Sequence, residues 1–549
     1  MTILPSILEI LKHRGISSKE DVEEFLSAKP QKTYDPFLLN NMEAGVDLIL
    51  SAIESGAKIC IYGDYDTDGV TSVALLRDVL LELGGDVTYY IPSRFDEGYG
   101  LNSSALDKIK AAGTDLVITV DCGCTSVEEA RHAEELGMEI LITDHHSMKE
   151  RIPECLIINP QHPQCPYPFK SLAGVGVAFK LAQALVETTG MPKRVLTRNL
   201  DLVCIGTIGD VVPLVDENRM LVKYGMKALN ITQRPGLKIL IEKIGLHLGV
   251  ISSRNVGFII SPHINAAGRM ENATLAAKLM QEKNPSKAAE MADLLIDCNI
   301  KRKNIQQNLV ERAEDLLKDR NPDDKYLLVK FDDAHEGVIG IAASRIKEKY
   351  SLPTIIVTSI DDGYCKGTGR SPEGVNLFGI LSKYEHLFER FGGHAAACGF
   401  TIKEDKIEEL KSALQQETSA LYRLNKEPFE GVIKPEAILA PEEVSMEFIN
   451  QQKFLEPFGK DNPEPIIGVE LRDYKTFRMG SEGQYMRLVG TMESGESIKA
   501  VDFDRADEHQ DILDKAELKG LKVTAVGTLE EKIWNGESSL QINLKAVNI

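Results

Sequence analysis

The sequence predicts an α/β protein: a domain built on a parallel sheet, a helical connector, a smaller second α/β unit and a C-terminal β-barrel. Three observations carry this. From residue 57 onward, short apolar runs alternate with helical stretches. An apolar stripe at helical spacing runs through 284–320, and the chain turns strand-rich over 430–549.

Residues 1–45 read as short helices and a loop. Strands are then expected at 57–62, 87–91, 116–120, 139–143 and 156–159, with helices at 71–83, 104–112 and 127–136 between them. Strand, helix, strand at this spacing implies right-handed crossovers and a mainly parallel sheet. Further helices are expected near 173–189 and 195–208. Met291, Leu294, Leu295, Cys298, Ile305, Leu309, Ala313 and Leu316 form the stripe of a connector, with charges on its other face. Asn321-Pro322-Asp323-Asp324 breaks it. Strands at 326–331 and 354–358 open the second unit, a polar helical link follows, and Trp534-Asn535-Gly536 marks a hairpin turn in the last segment. A barrel of the OB type fits that segment. The expected division is 1–45, 46–215, 216–322, 323–405, 406–429 and 430–549.

A chain of 549 residues exceeds a single core, and 43% hydrophobic residues is ordinary for a folded protein. The net charge of −20 argues against non-specific nucleic-acid binding over the whole surface, but a local basic groove or metal ions can still meet phosphates. Nine cysteines without CxxC spacing read as reduced thiols, and Cys122 and Cys124 as a weak metal signal. The N-terminal MTILPSILEILKHRG is amphipathic, so neither a signal peptide nor a membrane span is expected, and the protein is expected in the cytoplasm.

The stretch YGDYDTDG (62–69) sets Asp64, Asp66 and Asp68 at alternate positions after the first strand. Asp121 follows the third strand in VITVDCG, and Asp144, His145 and His146 follow the fourth in LITDHH. Asp210 is the lone carboxylate of IGTIGDVVPL. Any one of these acids reads as a cap or turn residue. Together they gather at the C-terminal edge of one sheet, where ligands bind. Such carboxylates cannot all ionise without a cation. Mostly oxygen donors with one or two imidazoles suit two Mn²⁺ or Mg²⁺ ions, which serve phosphodiester hydrolysis.

DYDTDG, VDCG, TDHH and GDVVPL, in that order, resemble the DHH phosphoesterase superfamily. RFDEGYGLN (94–102), HINAAGRM (263–270), HEGVIGIAASRIKE (335–348), GTGRSPEGVNLF (367–378) and GGHAAACGF (392–400) narrow the resemblance to the RecJ exonucleases over nearly the whole chain. The resemblance implies a DHH domain and a DHH-associated domain. It makes Asp66, Asp68, Asp121, His145 and Asp210 metal ligands, with Asp121 bridging and His146 facing the scissile phosphate. Asp64 and Asp144 are left between direct ligation and support. One departure is PFGKDNPEP (457–465), where the family often has glycine in place of Asp461.

Arg370 and Ser371 lie in a glycine-rich turn and His394 follows Gly392 and Gly393, so backbone N–H groups and a guanidinium can meet phosphate. Arg94, Asn265 and Arg269 join them from the resembling motifs. The implied function is a 5′→3′ exonuclease on single-stranded DNA that releases 5′ mononucleotides in repair and recombination. The implied partners are a single-strand-binding protein and a helicase, with the enzyme itself a monomer. The alternatives are a DHH phosphodiesterase on short oligonucleotides or cyclic dinucleotides, and a non-catalytic replication scaffold. Arg472, Lys475, Arg478 and Arg487 alternate with Tyr474, Phe477 and Tyr485, a pattern open to strand binding or to core packing. The expected ligands all precede residue 211, so the barrel is expected to add grip and not chemistry.

Overall fold

A computed structural model describes residues 3–27, 33–95, 97–98, 100–360, 363–534 and 537–549. They form two units, residues 1–295 with 433–549, and residues 296–432.

The first unit holds two sheets. One consists of β1 (Lys58–Gly63), β2 (Asp86–Tyr90), β3 (Leu116–Val120), β4 (Glu139–Thr143) and β5 (Leu156–Ile158). Their order is β2-β1-β3-β4-β5, all parallel. The chain leaves β1 for one neighbour and later returns to the other, so the order reverses between β1 and β3, and crevices open at such points. Expected and observed strands agree to within about a residue. The helix expected from residue 71 starts a turn earlier, at Thr67, because Asp66 caps it by accepting from the N–H groups of Asp68 and Gly69. Asp68 is thus helical, not part of a turn. This helix, Thr67–Glu82, is buried on nearly every side and packs on Gly174–Thr189 and Arg194–Gly209.

The second sheet of this unit consists of β11 (Ala437–Ile438), β12 (Ile467–Leu471), β13 (Asp473–Met479), β14 (Tyr485–Thr491), β15 (Ser497–Asp502), β16 (Val523–Trp534) and β17 (Glu537–Asn548). The order is β11-β12-β16-β17-β15-β14-β13, a mixed arrangement of OB type. Asn535 and Gly536 of the expected turn lie outside the described residues; β16 and β17 pair antiparallel on either side of them. The N-terminal helix Pro5–His13 belongs to this core, where Ile7, Ile10 and Leu11 pack with Phe448, Leu455 and Val469. Asp461 adopts φ +58°, the left-handed region that explains a glycine preference at this position.

The second unit is built on β6 (Leu327–Phe331), β7 (Thr354–Ser359), β8 (Tyr364–Arg370), β9 (Phe388–His394) and β10 (Ala397–Lys403), in the order β6-β7-β8-β10-β9. Only β6 and β7 are parallel. The expected link after residue 405 carries the helix Ile407–Leu424, whose Ile407, Leu410 and Leu414 join the core of this sheet. The connector is one helix, Pro285–Leu317. Its period is as expected, but Leu294 and Leu316 are exposed while Ala292, Leu295, Leu309, Ala313 and Leu317 are buried. The stripe therefore runs one residue away from two of its expected members. No helix among the described residues is long and apolar enough to cross a membrane.

Candidate metal centre

At the C-terminal ends of β1, β3 and β4 the acidic residues converge. Asp68 is fully buried, and its two oxygens accept from the N–H groups of Gly174 (2.6 Å) and Val175 (2.8 Å), which open the helix Gly174–Thr189. That N-terminus favours a negative charge. A Cβ on Gly174 would lie 2.6 Å from Asp121 Oδ1, so only glycine lets the helix end approach. Asp121 follows β3 with φ +63°. Thr119 Oγ1 donates to the Cys122 carbonyl (2.7 Å), pinning the backbone on either side of it. Asp210 closes the helix Arg194–Gly209. His145 Nε2 stands 3.1 Å from Asp121 Oδ1, 3.6 Å from Asp210 Oδ2 and 4.0 Å from Asp68 Oδ2.

Donor atoms of Asp68, His145 and Asp210 lie within 4.8 Å of one another, as do those of Asp64, Asp66 and Asp121. Burial pushes the Asp64, Asp68, Asp121 and Asp210 carboxyls above their usual range, and neighbouring carboxylates push them further. Burial also lowers the His145 imidazole, leaving it neutral with a lone pair to give. Asp64 Oδ1, Asp210 Oδ2 and His145 Nε2 are buried without a hydrogen-bond partner. Unpaired buried polar atoms are rare, and three in one cluster fit a cation. Five hard oxygen donors with one imidazole suit Mn²⁺ or Mg²⁺.

Asp144 differs. Its Oδ1 accepts from the N–H groups of His145 (2.7 Å) and His146 (3.1 Å) and pairs with His146 Nδ1 (2.8 Å), while Oδ2 accepts from Cys124 N–H (2.9 Å). These bonds outweigh the upward push of burial and hold its carboxyl well below the usual range. Asp144 thus orients the imidazole, and its carboxylate also lies within 4.8 Å of the donor atoms of Asp121, His145 and His146. Burial would lower His146, but the Asp144 hydrogen bond and the charges of Asp210 and Asp64 raise it to about 9. The Asp144 pair thus favours the charged form of His146, which suits an anionic phosphate.

The expected phosphate residues fall into two places. In the first unit the Arg94 guanidinium lies 5.1 Å from the centre of the Tyr65 ring. Arg269 is half-buried on the helix Ser261–Met270, and its charge also reaches Tyr65. Asn265 Oδ1 is taken by Thr67 N–H (2.8 Å), which braces the helix that carries Asp68. In the second unit the register sets Arg370, Ala397 and His394 side by side across β8, β10 and β9, with Gly392, Gly393 and His394 exposed. Gly393 has φ +145°. Arg370 Nη1 donates to Thr368 Oγ1 (3.1 Å) and to the Gly369 carbonyl (2.8 Å). Ser371 departs from expectation. Its hydroxyl is buried and donates to the Val375 carbonyl (2.7 Å), so it closes the loop and does not face a ligand.

Sequence reasoning missed the backbone donors of Gly174 and Val175, whose signal was a glycine opening a helix. It also missed Lys460. The Lys460 carbonyl accepts from Leu214 N–H (2.8 Å), and its charge is felt at Asp210. The C-terminal segment therefore braces the 210–214 stretch that begins with Asp210.

The chain matches the DHH family N-terminal domain over residues 58–207, the DHHA1 domain over 323–420 and the RecJ OB domain over 435–546. It is 36% identical to the single-stranded-DNA-specific exonuclease RecJ of Bacillus subtilis, over 99% of this chain and 68% of that protein. The protein of that name from Escherichia coli is 34% identical, over 85% of this chain and 84% of its own length. The crystal structure of RecJ in complex with Mn²⁺ from Thermus thermophilus superposes with a TM-score of 0.81 at 28% identity, covering 98% of this chain and 75% of that one. The corresponding Mg²⁺ complex gives 0.76 at 27% identity, over 99% of this chain and 74% of that one.

Proposed function

The chain belongs to the RecJ family of single-stranded-DNA-specific exonucleases, and from that premise we propose that it hydrolyses single-stranded DNA from the 5′ end, releasing 5′ mononucleotides. The observation that carries the chemistry is His145 Nε2 set among Asp121, Asp210 and Asp68 at 3.1–4.0 Å with no hydrogen-bond partner of its own. Asp64, Asp66 and Asp121 would hold one ion and Asp68, His145 and Asp210 a second. Bound Mn²⁺ or Mg²⁺ supplies a water nucleophile at neutral pH and Lewis-acid stabilisation of the leaving oxygen.

The chain's own residues do the rest. The N–H groups of Gly174 and Val175 fix Asp68 without using a side chain. Asp144 holds His146 charged and oriented toward the scissile phosphate. Arg370 and His394 present a cation and an imidazole at one sheet end to the leading phosphate. The test is digestion of single strands labelled at either end, with Mn²⁺ or with a chelator. Mononucleotide release from the 5′ label first, abolished by the chelator, is the expected result. Release from the 3′ label first, or equal digestion of duplex, overturns the reading.

A further inference from the structure

The helix Asp216–Leu229 opens with three successive polar side chains that are buried, Glu217, Asn218 and Arg219. Burying polar groups is costly unless they are bonded, and each of these reaches a different part of the first unit. Glu217 Oε1 accepts from Lys180 Nζ (2.9 Å), on the helix Gly174–Thr189. Arg219 donates to the Leu455 carbonyl. Asn218 is fully buried, and its Nδ2 donates to the carbonyls of Ser171 (2.6 Å) and Pro213 (3.0 Å). Ser171 lies just before Gly174, whose N–H holds Asp68, and Pro213 lies just after Asp210. We propose that Asn218 is a positioning residue for the second ion, its amide holding Asp210 in a strained turn beside Asp68 and His145. The proposal rests on the two-ion reading and gives it a residue that touches neither ion nor substrate.

The strain is at Val211. The helix Arg194–Gly209 ends on Asp210, and the next residue, Val211, has φ +61°. A left-handed residue just past a helix end is usually glycine or asparagine. A β-branched side chain there is strained, and such strain persists only where the surroundings over-determine it. The Val211 side chain is 60% exposed, so packing of that side chain does not hold the turn. Bonds further along the chain do. Asn218 fixes the Pro213 carbonyl, and the Lys460 carbonyl fixes Leu214 N–H (2.8 Å). Without the amide, the turn is free to relax toward the ordinary backbone region of valine. That relaxation takes Asp210 Oδ2 from its place 3.6 Å from His145 Nε2.

The test counts bound Mn²⁺ without substrate, by electron paramagnetic resonance of the free ion, for wild type, Asn218→Ala and Asn218→Ala with Val211→Asn. Asparagine enters the left-handed region readily, so at position 211 it removes the strain that the amide restrains. Asn218→Ala should keep one ion at wild-type affinity and weaken the other about 5- to 30-fold, the range of one left-handed side chain's penalty. At limiting Mn²⁺ its kcat should fall while KM for single strands stays. The double variant should regain most of the lost affinity, which no general loss of stability would allow. An unchanged second ion in Asn218→Ala, or a loss that Val211→Asn does not reverse, overturns the proposal. Circular dichroism checks folding, and Asn218→Ser, which keeps one donor, replaces an Asn218→Ala that does not fold. Failure of both to fold makes Asn218 a residue of stability alone and overturns its positioning role. A wild type that binds fewer than two ions overturns the two-ion reading instead.

Discussion

Asp121 and Asp144 show how much a residue's surroundings decide. Both are buried carboxylates just past a parallel strand, yet Asp144 is held low by its donors and Asp121 is pushed up by burial and by Asp68 and Asp66. The order of the motifs made both legible as site residues. Their division of labour depends on backbone N–H groups, which no side-chain pattern displays. Asp121→Asn is the least disruptive test, since asparagine tolerates the left-handed φ of +63°. Turnover should fall ~10³-fold or more. In chelator the variant should melt at or above the wild-type temperature, because one of several repelling carboxylates is gone; near-normal turnover at saturating Mn²⁺ would remove Asp121 from the centre. Arg370 carries a separate prediction. If it meets the leading phosphate, wild type should prefer 5′-phosphorylated over 5′-hydroxyl strands, and Arg370→Ala should erase the preference. A preference that survives the substitution moves the phosphate pocket to Arg94 or Arg269.

Elements were legible wherever periodicity and capping agree. β3 and β4 occupy the residues that their apolar runs predict, because a parallel strand buried on both faces has no other composition. The first turn of Thr67–Glu82 escaped because its residues, Thr67, Asp68 and Gly69, read as polar turn formers until Asp66 is seen capping them. The helix Ala506–Lys519, between β15 and β16, escaped too, and it is secured by one buried carboxylate. Asp502 accepts from the N–H groups of Asp504 and Arg505 (both 2.9 Å) and pairs with His509 Nδ1 (2.7 Å). Burial would raise its carboxyl, but these bonds outweigh burial and hold it below the usual value. A depressed carboxyl stabilises the fold above its unfolded pKa and loses that contribution as pH falls through its folded one. Asp502→Asn should therefore cost about 1.5–3 kcal/mol at pH 7 by urea denaturation. Its deficit relative to wild type should shrink below about pH 4. A deficit constant down to pH 2 would assign the loss to packing.

At the scale of the molecule, the sequence order of the domains conceals which of them share a core. The N-terminal helix and the C-terminal sheet are separated by more than four hundred residues, a pairing that no local pattern announces. Ser6 N–H donates to Glu443 Oε1 (3.0 Å), and Arg14 pairs with Glu436 (2.8 Å). The buried Arg219 guanidinium, on the helix that follows Asp210, donates to the carbonyls of Leu455 (2.8 Å) and Phe454 (3.0 Å). A chain ending at Glu427 would strip Ile7, Ile10 and Leu11 of their partners and leave the buried Arg219 with the Phe25 carbonyl (3.4 Å) but without those of Leu455 and Phe454. Losing the partners of a buried charge costs about 3–5 kcal/mol, a large part of a domain's stability. It would also remove Lys460, whose carbonyl anchors Leu214 four residues beyond Asp210. The truncated chain should therefore aggregate or lose hydrolysis on strands of every length, including those too short to span a second domain. Size-exclusion chromatography, circular dichroism and turnover on short and long single strands decide the matter. A monodisperse truncated protein with wild-type kcat on short strands would make the C-terminal sheet an accessory to binding, and the shared core and the Lys460 anchor would be dispensable to the metal centre.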